Sequence, residues 1–564
     1  MSKIKPKHAY AKAVFEGFDG ISEGSASADN ALSELCNFRI LPNGTLEKRC
    51  GWYAYATLPD TVRGVWQGTL EGTSFCFAVG GNRVYQVKNG SASEISSLTT
   101  SEGHVTFIPY RGRLYLLDGA ETYVLRLSPL SFTVAVGYAP LYGRNWHPTD
   151  YGQPNEPFNL FSSRLRIHYF NTTSSTTFNL PYYASSIDKV RVDGRTVTDF
   201  GFSAPSDHFT IPTAGSSVEV AFTVAMDSAT EALMRKCTRA YAERLGGRDR
   251  LLLYGSPEGQ HLFCALNVDD SMLYSSAALY SDTDPLYVTD NTILTLTSPD
   301  YPITTLFRDR DRILAFHARG AHSVQLSEES DTVEAYPLLQ GVGCTAVGMQ
   351  LSIDSDPVIL NEGGVFRLSS PASDPDAFTL TRLCDAIKPS FLQNTIAYND
   401  MQHGELWFRD TQNSDGSIWI YQIAHKRWYQ FSGVAATFFL TLDGFAGFAS
   451  ANRICLFDES AYTDNGAMIN AVCQTVFLTM GYPEEKKRSL RLSLVFNTYG
   501  NRIDMQVQSE RYKKTYALVG KAQTDPQLLD LRASLGRFRF LRVRFSDSGR
   551  ARSQIHRFAL YANL

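Results

Sequence analysis

The residues with most chemical potential in this chain lie in its last eighty positions. Arg537, Arg539, Arg542 and Arg544 recur along RFRFLRVRF, and Lys486, Lys487 and Arg488 stand together in EEKKR. Guanidinium and ammonium groups spaced in this way suit charge-assisted, often bidentate, hydrogen bonds to carboxylate or phosphate. These residues are therefore the candidate contacts for an acidic partner or a neighbouring subunit. From Lys486 to the end there are 17 Lys or Arg against 5 Asp or Glu, so this segment is about +12 and the remainder about −16, although the whole chain is only −4. The plain alternative is a solvated basic face. A stacking platform for single-stranded nucleic acid would need exposed aromatics beside such a groove. Strand alternation in RFRFLRVRF instead buries the phenylalanines opposite the arginines. Phe538 and Phe540 share one parity while Leu541, Val543 and Phe545 share the other, which predicts a β-bulge at Phe540-Leu541. EEKKR follows Gly481-Tyr482-Pro483 and reads as a polar linker opening the last domain.

Elsewhere the familiar catalytic patterns are missing. GxxxxGK[ST], HExxH, GxSxG and the EF-hand loop do not occur. GVGCTA at Gly341 to Ala346 formally fits GxGxxA, but no helix pattern or acidic ribose partner completes a dinucleotide-binding unit. The eleven histidines are dispersed, and the one close pair, His317 and His322, is not spaced to share a face of a strand or helix. The nine cysteines form no CxxC pair and lie mostly in apolar runs, as reduced core thiols made in a cytoplasm would. Glycosidases and sialidases need paired carboxylates, or a Tyr-Glu nucleophile with arginines, and such sets converge only in space. NSDGSIW at Asn413 to Trp419 departs from the sialidase Asp-box and reads as a turn, and RDRDR at Arg308 to Arg312 reads as a loop opening a strand. The expectation is no enzyme, no cofactor and no metal site. No apolar h-region follows MSKIKPKHAY and no run approaches eighteen apolar residues, so neither a signal peptide nor a membrane partner is expected.

The elements that would hold these residues are strands. Aromatics make up 12% of the chain, with 29 Tyr and 34 Phe, and suit a pleated, half-buried surface. Pro42-Asn43-Gly44 separates two alternating runs and predicts an N-terminal hairpin. Beyond it, paired alternations around a Gly or Asp/Asn turn begin near Phe75, Gly112, Arg248, Asp311, Asp356, Gly404 and Gly444. Their spacing of roughly forty residues, where uninterrupted, is that of a four-stranded propeller blade, and predicts about six or seven blades. The expected fold is all-β: a β-propeller with an inserted small β domain and a C-terminal β-sandwich-like domain. The expected boundaries are an N-terminal arm and hairpin over 1–60, first blades over 61–156, the insertion over 157–226, a capped helix and remaining blades over 227–482, and the basic β domain over 483–564. The helix is read from Ser228 and Glu231 at capping-box spacing, a Leu233, Cys237, Tyr241 stripe, and Gly246-Gly247 as its stop.

Leu35, Asn37, Gly44, Leu46, Arg49 and Gly51 form one ordered pattern, EPFNLFSSRLRIHYF from Glu156 opens the insertion that SVEVAFTV closes, and KKRSLRLSLVF begins the last domain. Together these features resemble the tail-nozzle, or packaged-DNA stabilisation, β-propeller proteins of short-tailed bacteriophages. The resemblance implies a virion protein, made in the host cytoplasm, forming a homomeric ring of six copies. It implies contacts with the tail adaptor or portal-proximal proteins and with tail fibre or spike proteins. Double-stranded DNA would pass through the ring without tight binding, since each neutralised phosphate adds affinity. On that reading the acidic propeller portion faces the channel and the basic C-terminal domain meets a neighbour. The alternative is a virion-associated carbohydrate-active or receptor-binding β-propeller. A cellular scaffold is a third class, which the shortage of WD and kelch signatures argues against.

Overall fold

Each of the seven paired alternations becomes the middle hairpin of a four-stranded antiparallel meander in the computed structural model. It describes residues 8–13, 31–148, 156–162, 165–171, 174–224, 229–245, 248–266, 268, 285–326, 332–387, 394–520 and 525–564. The protein is all-β with one short helix, and its meanders are of the β-propeller kind. The chain divides into two compact units, residues 63–88 with 92–343, and residues 1–62 with 89–91 and 344–564.

The first unit carries four meanders, over 62–97, 106–134, 239–295 and 303–340. Their inner strands are apolar on both parities because each face packs on a different neighbour. In the second meander Leu114 and Leu116 join Phe77 and Val79 of the first, whereas Tyr115 and Leu117 join Leu251, Leu253 and Phe263 of the third. Leu252 and Leu262 of the third then meet Leu306 and Ile313 of the fourth. A sheet buried on both faces loses the simple in-out alternation of a half-exposed one. Arg63 ties the connection between the first two meanders, donating to the carbonyls of Gly81 at 2.7 Å, Thr100 at 2.7 Å and Gly103 at 2.8 Å.

Between the second and third meanders lies a separate six-stranded sheet with its own core of Phe170, Phe178, Phe209, Val218, Val220 and Phe222. It starts earlier than residue 157, because Leu141–Trp146 pairs in parallel with Leu165–Asn171. The helix that follows is also shorter than its pattern predicts. It spans Ala229–Arg235, with Glu231 paired to Arg235, and Ser228 and Gly246-Gly247 lie outside the described residues. Tyr241 belongs to a strand, Arg239–Leu245, paired along its length with Arg248–Tyr254. There Ala240 and Ala242 pack on one neighbouring meander and Tyr241 on the other, so burial on two faces overrides the helical spacing.

The second unit carries the remaining three meanders and a β-sandwich. The last meander, Phe438–Leu442, Phe445–Ser450 and Arg453–Asp458, takes its fourth strand, Gly51–Thr57, from near the other end of the chain. The sandwich does not begin at 483. One sheet contains Phe38–Ile40, Leu46–Lys48, Gln554–Asn563, Arg488–Asn497 and Gln527–Ala533, with His8–Ala13 added to Gln554–Asn563. The other contains Leu32–Cys36, Ala471–Thr475, Leu541–Asp547, Arg502–Ser509 and Lys513–Val519, and continues through Cys36 and Gln430 into the sixth meander. Leu492 and Leu494 face Met505 and Val543 between the sheets, and Phe545 meets Phe558 edge to face at 5.8 Å. No bulge forms at Phe540-Leu541. The parity changes at a break, where Phe538 makes an isolated bridge to Lys487 before the strand Leu541–Asp547 begins.

The six patterned residues near the N-terminus build the hairpin of this unit and its junctions. Gly44 turns the hairpin at φ +80°, Leu35 and Leu46 are core, and a Cβ on Gly51 would lie 1.9 Å from the Thr463 carbonyl oxygen. Arg49, 1% exposed, donates through Nε to Asn37 Oδ1 at 2.9 Å, through Nη1 to Cys50 O at 2.9 Å and Asp464 Oδ1 at 2.8 Å, and through Nη2 to Ser432 O at 2.7 Å and Asp464 Oδ2 at 2.6 Å. All five guanidinium hydrogens are used. Asn37, held at φ +57°, donates in turn to Ser432 Oγ at 2.8 Å and Asn470 O at 2.7 Å. Removing the arginine strands Asp464 and two carbonyls in a buried site. Arg49→Met is expected to lose about 3–5 kcal/mol in urea unfolding, with Arg49→Lys close behind because a point charge cannot span these acceptors. A loss below about 1 kcal/mol, the range of an exposed pair, would show that the node does not hold the unit.

Candidate functional site

A tyrosine, a glutamate and an arginine do converge in the sixth meander. Tyr429 Oη donates to Glu405 Oε1 at 2.5 Å, Trp407 Nε1 donates to Glu405 Oε2 at 2.9 Å, and Arg39 Nε lies 2.7 Å from Glu405 Oε1. The types match a sialidase nucleophile set. Their environment does not. Glu405 is 1% and Tyr429 0% exposed, leaving no approach for a sugar, and burial together with the Glu405 carboxylate pushes the Tyr429 phenol well above its ordinary pKa. A phenol held protonated in a closed core is a structural donor, and it anchors the N-terminal hairpin through Arg39.

Local spacing also hides a histidine pair. His317 and His322 face each other across a hairpin with ring centroids 5.5 Å apart, although their spacing predicts no shared face. Among the described residues no three His, Cys, Asp or Glu side chains gather as a metal site. GVGCTA forms no helix, and its Cys344 is buried. RDRDR forms the turn between Ile303–Asp309 and Arg312–His317, with Arg312 paired to Asp309 at 3.0 Å.

The predicted basic contacts separate into three groups. Lys487 is 0% exposed and is no surface contact: its Nζ donates to the carbonyls of Tyr482 at 2.5 Å, Glu485 at 3.2 Å and Arg539 at 3.0 Å. EEKKR is therefore a buried clasp as well as a linker. Arg542 and Arg544 are half-buried on the sheet and engaged within the chain. Arg542 donates to Gln508 Oε1 at 3.1 Å and lies over the Phe477 ring, and Arg544 pairs with Glu34 of the N-terminal arm. Arg537, Arg539, Lys486 and Arg488 are exposed.

Two of these exposed residues, Arg488 and Arg537, line one concavity of about 890 Å³ together with Arg491, Arg532, Tyr561 and Asn563. The sheet register sets the arrangement. Arg532 lies opposite Arg491, and Arg491 lies opposite Tyr561, in one row across three strands. All three are exposed, whereas the alternate positions Leu490, Ala533 and Leu560 are buried. Asp530, on the same face as Arg532, accepts from Arg491 Nε at 2.8 Å, and this bond holds its carboxyl below the usual range. Arg491 and Arg532 lay outside the predicted contacts, because only the pairing of Arg488–Asn497 with Gln527–Ala533 places them side by side. A second concavity of about 560 Å³ lies between the fifth and sixth meanders, lined by Asp354, Arg367, Arg382, Asp385 and Lys426 among others. There Arg367 bridges Asp354 at 3.3 Å and Asp356 at 2.8 Å.

No family model matches the chain, and no curated protein does. Solved structures similar to it include an exo-β-1,3-galactanase from Phanerochaete chrysosporium, at 8% identity over 90% of this chain and 99% of that one, with a TM-score of 0.22. A protein described as a glycoside hydrolase is similar at 12% identity over 90% and 99%, TM-score 0.15. The extracellular domain of a one component system from B. thetaiotaomicron is similar at 8% identity over 89% and 62%, TM-score 0.26. Likeness at this level concerns fold alone. The expectation of a chain that is no enzyme is corrected to this extent: glycoside hydrolases are among the structures to which the chain is similar.

The histidines supply a pH dependence. Burial lowers the pKa of His104, His317, His322 and His556 below the ordinary 6.5, with Arg239 and Arg63 adding to the shift at His104. A group whose pKa is lower folded than unfolded binds its proton preferentially in the unfolded chain. Stability is therefore expected to hold above pH 6.5 and to fall as pH drops below it. Urea midpoints at pH 7.5, 6.5 and 5.5 check this, and a flat profile would mean that these rings protonate freely in the folded protein.

Proposed function

We infer that the chain is a structural component of a short-tailed phage tail, assembling with copies of itself into a ring around the DNA exit channel. The observation that carries this reading is the structural part taken by the residues that resemble the nozzle family: Asn37 and Arg49 meet in one buried node, Leu35 and Leu46 share the core, Gly51 packs against Thr463 and Gly44 turns the hairpin. All of them lie in the stretch that runs from the sandwich strand Leu32–Cys36 through the hairpin to Gly51–Thr57, the outer strand of the last meander. The charge distribution supports self-association: a segment of about +12 and a remainder of about −16 can attract each other between copies. Such contacts are head to tail and close into a ring when the rotation allows. Arg539 and Lys486, exposed and outside the 890 Å³ concavity, are the contacts this reading assigns to the adjoining subunit or adaptor.

A second reading, a virion-associated carbohydrate-active or receptor-binding propeller, is favoured by the 560 Å³ concavity with Asp354 and Asp385 beside Arg367 and Arg382. Its mixture of carboxylates and guanidinium groups suits sugar hydroxyls and acidic substituents.

Electron microscopy of the purified full chain and of its parent particle separates the two. Rings on a tail axis, with a mass that falls towards the monomer as salt is raised, are expected for the first reading. Peripheral spikes, or a strict monomer that binds neutral glycans, would replace it with the second.

A further inference from the structure

The arginine row on the outer face of the sandwich has a feature that folding alone does not explain. Arg491 and Arg532 stand directly opposite each other on adjacent strands, an arrangement in which like charges repel. Asp530 bonds Arg491 and also feels the charge of Arg532, so one carboxylate serves two cations, and Arg488 and Arg537 add two more to the same 890 Å³ concavity. A sheet gains nothing from collecting four guanidinium groups around a hollow, whereas an anion seated there would neutralise them. Tyr561 completes the row and offers an exposed ring at its end.

We propose that this groove binds a carboxylate-bearing polysaccharide, with uronate carboxylates on Arg532 and its neighbours and a sugar ring against Tyr561. The inference concerns the sandwich and does not depend on the tail reading. Guanidinium forks match carboxylates in paired hydrogen bonds. The remaining chemistry separates a saccharide from a phosphate backbone. Asn563 and Ser534 line the same wall with amide and hydroxyl groups, which suit the hydroxyls of a sugar. An aromatic face beside polar groups suits the apolar face of a pyranose.

The test uses the full chain, titrated by calorimetry with an oligogalacturonate, with its carboxyl-reduced neutral counterpart, and with inorganic polyphosphate. Binding of the uronate but not of the neutral oligomer is expected. The double variant Arg491→Gln, Arg532→Gln should lose roughly tenfold or more in affinity, as removal of charge-assisted hydrogen bonds predicts. Tyr561→Ala should weaken the uronate several-fold and leave any polyphosphate binding unchanged, and Lys513→Gln, on an edge strand of the other sheet, should change nothing. All of these side chains are exposed, so the variants should keep the parent melting profile. No measurable uronate binding, an equal loss in Lys513→Gln, or polyphosphate binding as tightly with no effect of Tyr561→Ala would overturn the proposal.

Discussion

The second unit depends on one buried cation. Arg49 has all five of its donors engaged, by Asn37 and Cys50 of its own hairpin and by Ser432 and Asp464 from far along the chain. A buried charge is costly unless it is paired and every hydrogen finds an acceptor, and a guanidinium so satisfied is correspondingly hard to misplace. It fixes where the hairpin ends, hence where Gly51–Thr57 enters the last meander and where Leu32–Cys36 joins the sandwich. Lys48, one residue earlier and fully buried, does the same on the opposite side, reaching Asp547 at 3.3 Å and the Gly549 carbonyl at 2.6 Å. Lys48 closes the strand Leu46–Lys48 and Arg49 follows it, so one dipeptide ties the hairpin at two places.

This explains why the most recognisable polar residues of the chain are not at an accessible site. Arg39, Glu405 and Tyr429 would be read as chemistry by type, yet they are closed into the core and join the hairpin to the sixth meander. Polar networks of this kind specify register where hydrophobic burial alone would tolerate sliding. An accessible group of charges lies on the sandwich, and there too part of the basic excess is answered within the chain. Glu34 and Glu47 of the N-terminal arm pair with Arg544 and Arg552. The arm thus brings its own acid to the basic segment, while Arg488, Arg491, Arg532 and Arg537 gather around one concavity of the sheet.

The sequence by itself determined what depends on neighbours a few residues apart. Period-two alternation with turn residues marked all seven inner hairpins, and Pro42-Asn43-Gly44 marked the N-terminal one, because pleat and turn chemistry are local. Apolarity on both parities signalled stacking of sheet on sheet. Tertiary structure alone decided which distant strands pair. Gly51–Thr57 joins Arg453–Asp458 and the N-terminal strands enter the sandwich across some four hundred residues, and no pattern within a window records such partners. For the same reason Lys487 reads as a surface charge until the carbonyls of Tyr482, Glu485 and Arg539 close around it, and Arg532 reads as a solitary arginine until the register sets it against Arg491. The stripe Leu233, Cys237, Tyr241 shows the limit from the other side: its helical spacing is real, but a strand that buries Tyr241 against one sheet and Ala240 against another gains more contact than a helix packed on one face, and so the strand forms.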